Sequence, residues 1–176
     1  MKRIVLALAI AFALQAGAQQ KPAPTLRSIL LAELHNTHDK SNWFVCGNVA
    51  MANLTPQQAS WSDGKGNHSV GQLVYHIVFW NKQSLAKFHG ETPEKFSGKN
   101  DDTFTNFDAK QWNGLVHQFD QVMTDLEKTV ENANDEQLAK WAPTIANISL
   151  HNAYHIGEIV MVRKEQGAWD ASKGVN

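Results

Sequence analysis

The chain has 176 residues, 43% of them hydrophobic and 19% charged, with a formal net charge of −1. A balance this close to neutral excludes a general nucleic-acid binder that works by neutralising phosphates. One cysteine, Cys46, excludes a disulfide-stapled scaffold, and its neighbours Phe44, Val45 and Val49 mark it as a small buried residue rather than a nucleophile.

The N-terminus has the pattern of an export signal: Lys2 and Arg3 form a basic start, Ile4 to Leu14 an apolar stretch, and Ala16-Gly17-Ala18 a small-residue cleavage site. The apolar stretch is shorter than the roughly 20 residues that span a bilayer. No cysteine follows the cleavage site, so a lipid anchor is not expected. Removing residues 1–18 from 176 leaves 158, the size of one domain (residues 19–176). The cut also removes Lys2 and Arg3, which takes the net charge from −1 to −3. The expected location of the mature domain is therefore the periplasm or the exterior, with neither nucleic acid nor membrane as a partner.

Apolar residues at helical spacing from Thr25 to Ala52 predict a first helix, with Leu26, Leu30, Leu34, Trp43, Val45 and Val49 on its stripe. Pro56 starts a turn, and Ser62 to Asn67, with Gly64 and Gly66, reads as a loop. Ser69 caps a second helix that runs to about Phe88, with Gly90 as its stop. Glu91 to Phe107 is a long polar connection, suited to a crossover between distant helices, to the mouth of a site, or to both. Asp108 caps a third helix that ends near Asn132. A helical turn follows at Asp135 to Leu138, then a fourth long helix capped by Asn147 and ending near Gln166, with Gly167 behind it. No alternating pattern supports a sheet. The expected fold is all-α: a four-helix bundle with a long connection between its second and third helices.

Histidines carry the chemistry. His151 and His155 are four residues apart on one face of the fourth helix, where Cβ atoms stand roughly 5–6 Å apart and two imidazoles can share one cation. They fall within the stripe Ile148, His151, His155, Ile159 and Val162, which is expected to face the core. Buried imidazoles need partners, and a pair that charged together would repel, so the pattern asks for a common ligand. His76, at the flank of the second helix's stripe, supplies a third nitrogen. His35 and His38 are the rival pair, but Asn36, Thr37, Asp39 and Lys40 around them suggest a solvated face. His68, His89 and His117 have no partner at ligand spacing. Glu158 lies on the same face as the histidine pair and can orient an imidazole, complete a metal shell, or act as general base; a surface pairing with Arg163 or Lys164 is the plain alternative. Asn152 stands where a zinc protease of the His-Glu-x-x-His type needs its glutamate, so that reading fails. Tyr154, Trp80, Phe79 and Trp43 are packing residues by default and pocket walls by alternative.

Two motifs, Ser69-Val70-Gly71-Gln72-Leu73-Val74-Tyr75-His76-Ile77 and His151-Asn152-Ala153-Tyr154-His155-Ile156-Gly157-Glu158-Ile159, stand about seventy-five residues apart. In this order the chain resembles the DinB-like superfamily of bacterial four-helix-bundle metalloproteins over essentially its whole mature length. The resemblance implies that His76, His151 and His155 ligate one divalent metal ion, nickel or zinc, and that bundles pair as homodimers. It also implies one of several activities on a small-molecule substrate, because the superfamily includes thiol-dependent transferases, proteins described as metal-dependent hydrolases, and many members with no known activity. This chain has Glu158 where glutamine is commoner, and it carries an export signal. Export separates it from cytosolic thiol, which puts metal-dependent hydrolysis with Glu158 as the catalytic carboxylate ahead of thiol transfer. A non-catalytic metal-binding or stress protein, and an interaction module with an unused histidine cluster, are the readings of another class.

Overall fold

Side chains that accept hydrogen bonds from free backbone amides set where the long helices begin. The computed structural model describes residues 22–104 and 107–174; the expected export signal, residues 1–18, lies outside them. In chain order the helices are α1 (Leu26–His38), α2 (Gly47–Met51), α3 (Pro56–Ala59), α4 (Val70–Phe88), α5 (Trp112–Asn132) and α6 (Asp135–Glu165). Thr25, Ser69 and Asn134 cap α1, α4 and α6, and in each case the residue three positions on returns a bond to the cap backbone. Asp108 caps a short 3₁₀ turn, Ala109–Gln111, that leads into α5. Gly90 and Gly167 follow α4 and α6 at φ 72° and 71°, the left-handed geometry that stops a helix.

The fold is all-α, and no strand occurs among the described residues. Helix α1 packs against α5 and α6, and α4 packs against the same two, so the four long helices close a bundle. Leu34, Ile77, Phe119, Met123, Leu126, Ile145, Ile156 and Ile159 fill its centre and are buried; each contributes on the order of 1.5–3 kcal/mol by leaving water. No helix among the described residues is long and apolar enough to cross a membrane. The connection between α4 and α5 is not structureless: Asn100–Phe104 forms a 3₁₀ helix packed on α4.

Two boundaries differ from the sequence expectation. The first helix does not reach Ala52. It ends at His38, and the polar run Asp39 to Asn42 turns the chain instead, with the Cys46 amide donating to Ser41 Oγ at 3.1 Å and the Asn42 amide to the Phe44 carbonyl at 3.1 Å. These local bonds compete with helix continuation, and Trp43, read as a stripe residue, is 94% exposed on this turn. Conversely, the last helix starts at Asp135 rather than Asn147 and continues through Pro143. Proline leaves the Ala139 carbonyl without its helical donor, but Ala139 and Pro143 both lie on the solvent face, where water replaces the lost bond.

His35 and His38 also depart from the solvated face expected of them. His38 is only 4% exposed, and its two ring nitrogens meet carboxylates of α5: Nδ1 is 2.8 Å from Glu127 Oε1 and Nε2 is 3.0 Å from Asp120 Oδ1. An ionised carboxylate only accepts, so both nitrogens donate and the ring is an imidazolium that ties α1 to α5. Burial opposes its charge, but the bonds to Glu127 and Asp120 outweigh burial and raise its pKa above the usual histidine value. A raised folded pKa gives stability that is complete below the unfolded value of about 6.5 and is lost as pH climbs through the folded one. The melting temperature of the protein should therefore exceed that of His38→Gln by a margin that narrows as pH rises above about 6.5. A pH-independent margin in thermal melts would show that the ring is not charged.

Candidate metal centre

Helix α4 delivers His76 and α6 delivers His151 and His155, and the two helices pack side by side. The four-residue step on α6 brings its two imidazoles edge to face, with centroids 4.5 Å apart, and all three Nε2 atoms converge. His151 Nε2 lies 3.0 Å from His76 Nε2 and 3.2 Å from His155 Nε2. His76 and His155 are buried, whereas His151 is half-buried. The α6 stripe thus differs in detail from its sequence reading: Asn152 and Ile156 occupy the centre of the buried face, and His151 sits at its edge.

Hydrogen bonds behind the rings fix which nitrogens carry protons. Thr103, from the 3₁₀ helix of the crossover, donates its hydroxyl to the Asn100 carbonyl at 2.6 Å. Its single proton is thereby used, so the contact of 2.5 Å with His76 Nδ1 is one in which the ring donates. His155 Nδ1 likewise donates to Glu158 Oε2 at 2.6 Å. In a neutral imidazole with Nδ1 protonated, Nε2 is a bare lone pair. With both rings in that form two lone pairs face His151 Nε2, and that atom can carry at most one proton. Hydrogen bonding alone satisfies no more than one of its two close contacts.

A cation resolves the conflict. Two nitrogens each about 2.0–2.1 Å from one ion at tetrahedral angles stand roughly 3.3 Å apart, close to the separations of 3.0 and 3.2 Å found here. The electrostatics agree. Burial, followed by the neighbouring His155, His151 and His68, pushes the His76 pKa down to about 3, and burial, followed by His155, lowers that of His151. Both rings stay neutral and available as ligands at physiological pH. The donor set fits a divalent ion, and His76, His151 and His155 form a group that could hold one.

Glu158 stands behind His155, on the Nδ1 side of the ring, away from the point where the three Nε2 atoms meet. It does not pair with Arg163. That guanidinium is buried and donates to the carbonyls of Ala50 at 2.7 Å and Ala168 at 2.7 Å, with Trp169 against it. Thr103 and Phe104 were not singled out from the sequence. Phe104 stacks on His76 with centroids 3.9 Å apart and on His68 at the same separation, so it is sandwiched between the two rings. Their only sequence signal is membership of a connection too long to be idle. Among the aromatics, Phe79 packs edge-on against Trp80 and Phe96, while Tyr154 is exposed.

A second group, His35, Asp39 and Glu127, also brings ligand atoms together, with His35 Nδ1 at 3.0 Å from Asp39 Oδ1 and 3.2 Å from Glu127 Oε1. There each contact to the imidazole comes from a carboxylate, a natural hydrogen-bond acceptor for a ring N–H, unlike the nitrogen-to-nitrogen contacts of the first group. Elsewhere in the core, Asn81 of α4 and Asn152 of α6 both donate to Met123 Sδ at 3.3 Å, and both leave Oδ1 without a partner. Such an orphan costs on the order of 1–3 kcal/mol.

An all-α bundle with three imidazoles able to share one ion defines a class of helical metal-binding proteins. A sequence model of the DinB superfamily matches residues 48–159, well over half of the chain, and the protein belongs to that superfamily. No curated protein and no solved structure matches the chain.

Two results should follow. His155→Ala should abolish stoichiometric metal in untagged protein measured by elemental analysis, while His89→Ala, which loses only a surface contact with Thr129, should leave it intact; equal metal in both would reject the ligand assignment. Thr103→Val, with no hydroxyl to accept the His76 proton, should weaken metal binding roughly 10–100-fold by calorimetry, and Thr103→Ser should restore it.

Proposed function

We propose that the mature domain is exported, binds one divalent ion, nickel or zinc, through His76, His151 and His155, and hydrolyses a small substrate with it. The observation that carries this reading is the meeting of three Nε2 atoms, two of them fixed as lone pairs, beside a half-buried imidazole that leaves one side of the cluster open. When bound, such an ion supplies Lewis acidity and lowers the pKa of a water held at its open position. Neutral ligands preserve the ion's full charge for that purpose.

The chain's own residues do the rest. Thr103 holds His76 by its Nδ1 proton, and Phe104 covers the ring and excludes water from that side. Glu158 accepts the Nδ1 proton of His155 from behind the ring and fixes its orientation, so we assign it a positioning role. Among the described residues three imidazoles meet at one point and Glu158 lies behind one of them, and a three-ligand set supports a catalytic site over a purely structural one. Lys2, Arg3 and the apolar stretch after them support export. Leu150, Tyr154 and Met161, all exposed on α6, support a homodimer.

A panel of small esters, amides and thiol adducts should reveal turnover with metal-loaded protein. That turnover should vanish on chelation, return with the ion, and be absent in His76→Ala. Uniformly flat rates across the panel would favour metal binding without catalysis, and turnover confined to thiol adducts would favour the transferase reading.

A further inference from the structure

Beside the imidazole cluster lies an open groove of about 340 Å³ between α4 and α6, with His151 at one end. Its walls include Trp80, Asn81 and Ser84 from α4 and Thr144 and Asn147 from α6. No lysine, arginine, aspartate or glutamate among the described residues lines it, whereas four other grooves on the surface each carry at least one. Apart from an ion held at the His151 end, such a wall offers no counter-ion to a charged ligand and no penalty to a neutral one.

What the wall offers is hydrogen bonding and one flat ring. Asn81 is 1% exposed; its amide nitrogen donates to Met123 Sδ, and its Oδ1 has no partner among the described residues. Ser84 donates its hydroxyl proton to the Trp80 carbonyl at 3.0 Å, which leaves its oxygen free only to accept. Two acceptors from α4 therefore wait for O–H or N–H donors, and Asn147 and Thr144 supply donors and acceptors from the opposite wall. Trp80 is partly exposed and braced edge-on by Phe79 and Phe96, with centroids 5.1 and 6.0 Å away. A braced indole offers an apolar platform for the C–H face of a saturated, chair-shaped ring.

We propose that this groove binds an uncharged polyhydroxylated ligand of sugar type, with its ring on Trp80, hydroxyls donated to Asn81 Oδ1 and Ser84 Oγ, and one end at His151. That the ligand is a substrate rests on the hydrolytic reading above; that it binds does not. The volume is near the lower end of ligand sites, which run from about 300 Å³, and suits a ring or two rather than a long chain.

The test uses the full mature domain and ligand-observed NMR with methyl β-glucoside and N-acetylglucosamine as neutral probes, and glucuronate and glucosamine as their charged counterparts. With the ion removed by chelation, so that nothing at the His151 end attracts an anion, the neutral probes should bind and the charged ones should bind at least tenfold more weakly. Asn81→Leu keeps the side-chain volume while removing the orphan oxygen. It should melt no lower than the parent protein yet lose at least tenfold in affinity for the neutral probes. Asn147→Ala, at the exposed rim, should lower the affinity too and cannot act through the core. His155→Ala, expected to lack metal, should still bind the neutral probes, since His155 does not line the groove. Binding there without turnover in the metal-loaded protein would remove the hydrolytic reading and leave the groove's. Charged probes binding as well as neutral ones, or undiminished affinity in Asn81→Leu and Asn147→Ala, would overturn the proposal.

Discussion

The geometry of this protein depends on three imidazoles being held nose to nose in a partly buried place. Left alone, such an arrangement is unfavourable: protonated rings would repel one another, and neutral ones present more lone pairs than the single shared proton can serve. The chain does not relieve the conflict by letting the rings turn away. It commits both Nδ1 protons of the flanking rings to outside acceptors, Thr103 and Glu158, so that His76 and His155 have only Nε2 to offer. Orientation is thus secured from behind, and the demand for a cation is created in front.

One consequence concerns the crossover. Thr103 and Phe104 reach the site from a segment with neither apolar periodicity nor length enough for a long helix, yet they hold and cover the most deeply buried of the three imidazoles. The 3₁₀ helix Asn100–Phe104 is packed on α4, and the chain of bonds from the Asn100 carbonyl through Thr103 to His76 joins its backbone to the cluster. Any ion that draws on the His76 lone pair also strengthens that chain, because withdrawal of charge from the ring makes its Nδ1 proton a better donor. An ion bound there would by this route be coupled to the ordering of the crossover.

Much of the fold was legible in the sequence, for reasons that are local. Ser69 with Gln72, and Gly90, bracket α4 because caps and stops act over three or four residues. His151 and His155 announce their proximity because a helix has a fixed pitch. What could not be read depends on competition between distant alternatives. Periodic apolar residues continue past His38, and only the bonds that Ser41 and Asn42 make in the folded chain show that the helix stops. Pro143 suggests a break, and only its solvent-facing position shows why the helix tolerates it. His38 looked solvated because its partners, Asp120 and Glu127, are 82 and 89 residues away. Thr103 was hidden for the same reason, since nothing near it in sequence points to His76.

The two buried histidine clusters show how one bundle assigns opposite charge states to the same side chain. His38 and His76 are almost equally hidden from solvent, so burial alone, which disfavours charge in both, does not separate them. The neighbours do. Two carboxylates of α5 face both nitrogens of His38 and hold its extra proton, whereas His76 meets a hydroxyl already committed as a donor and two further imidazoles. A ring that keeps its proton is a strut between helices and has no lone pair to give. A ring denied it has a lone pair and, among like neighbours, little else to do with it than bind a cation. Structural and ligand-binding roles for histidine in this protein therefore follow from whether the facing helix supplies carboxylates or more histidines, a difference set by composition at a few core-facing positions and not by depth.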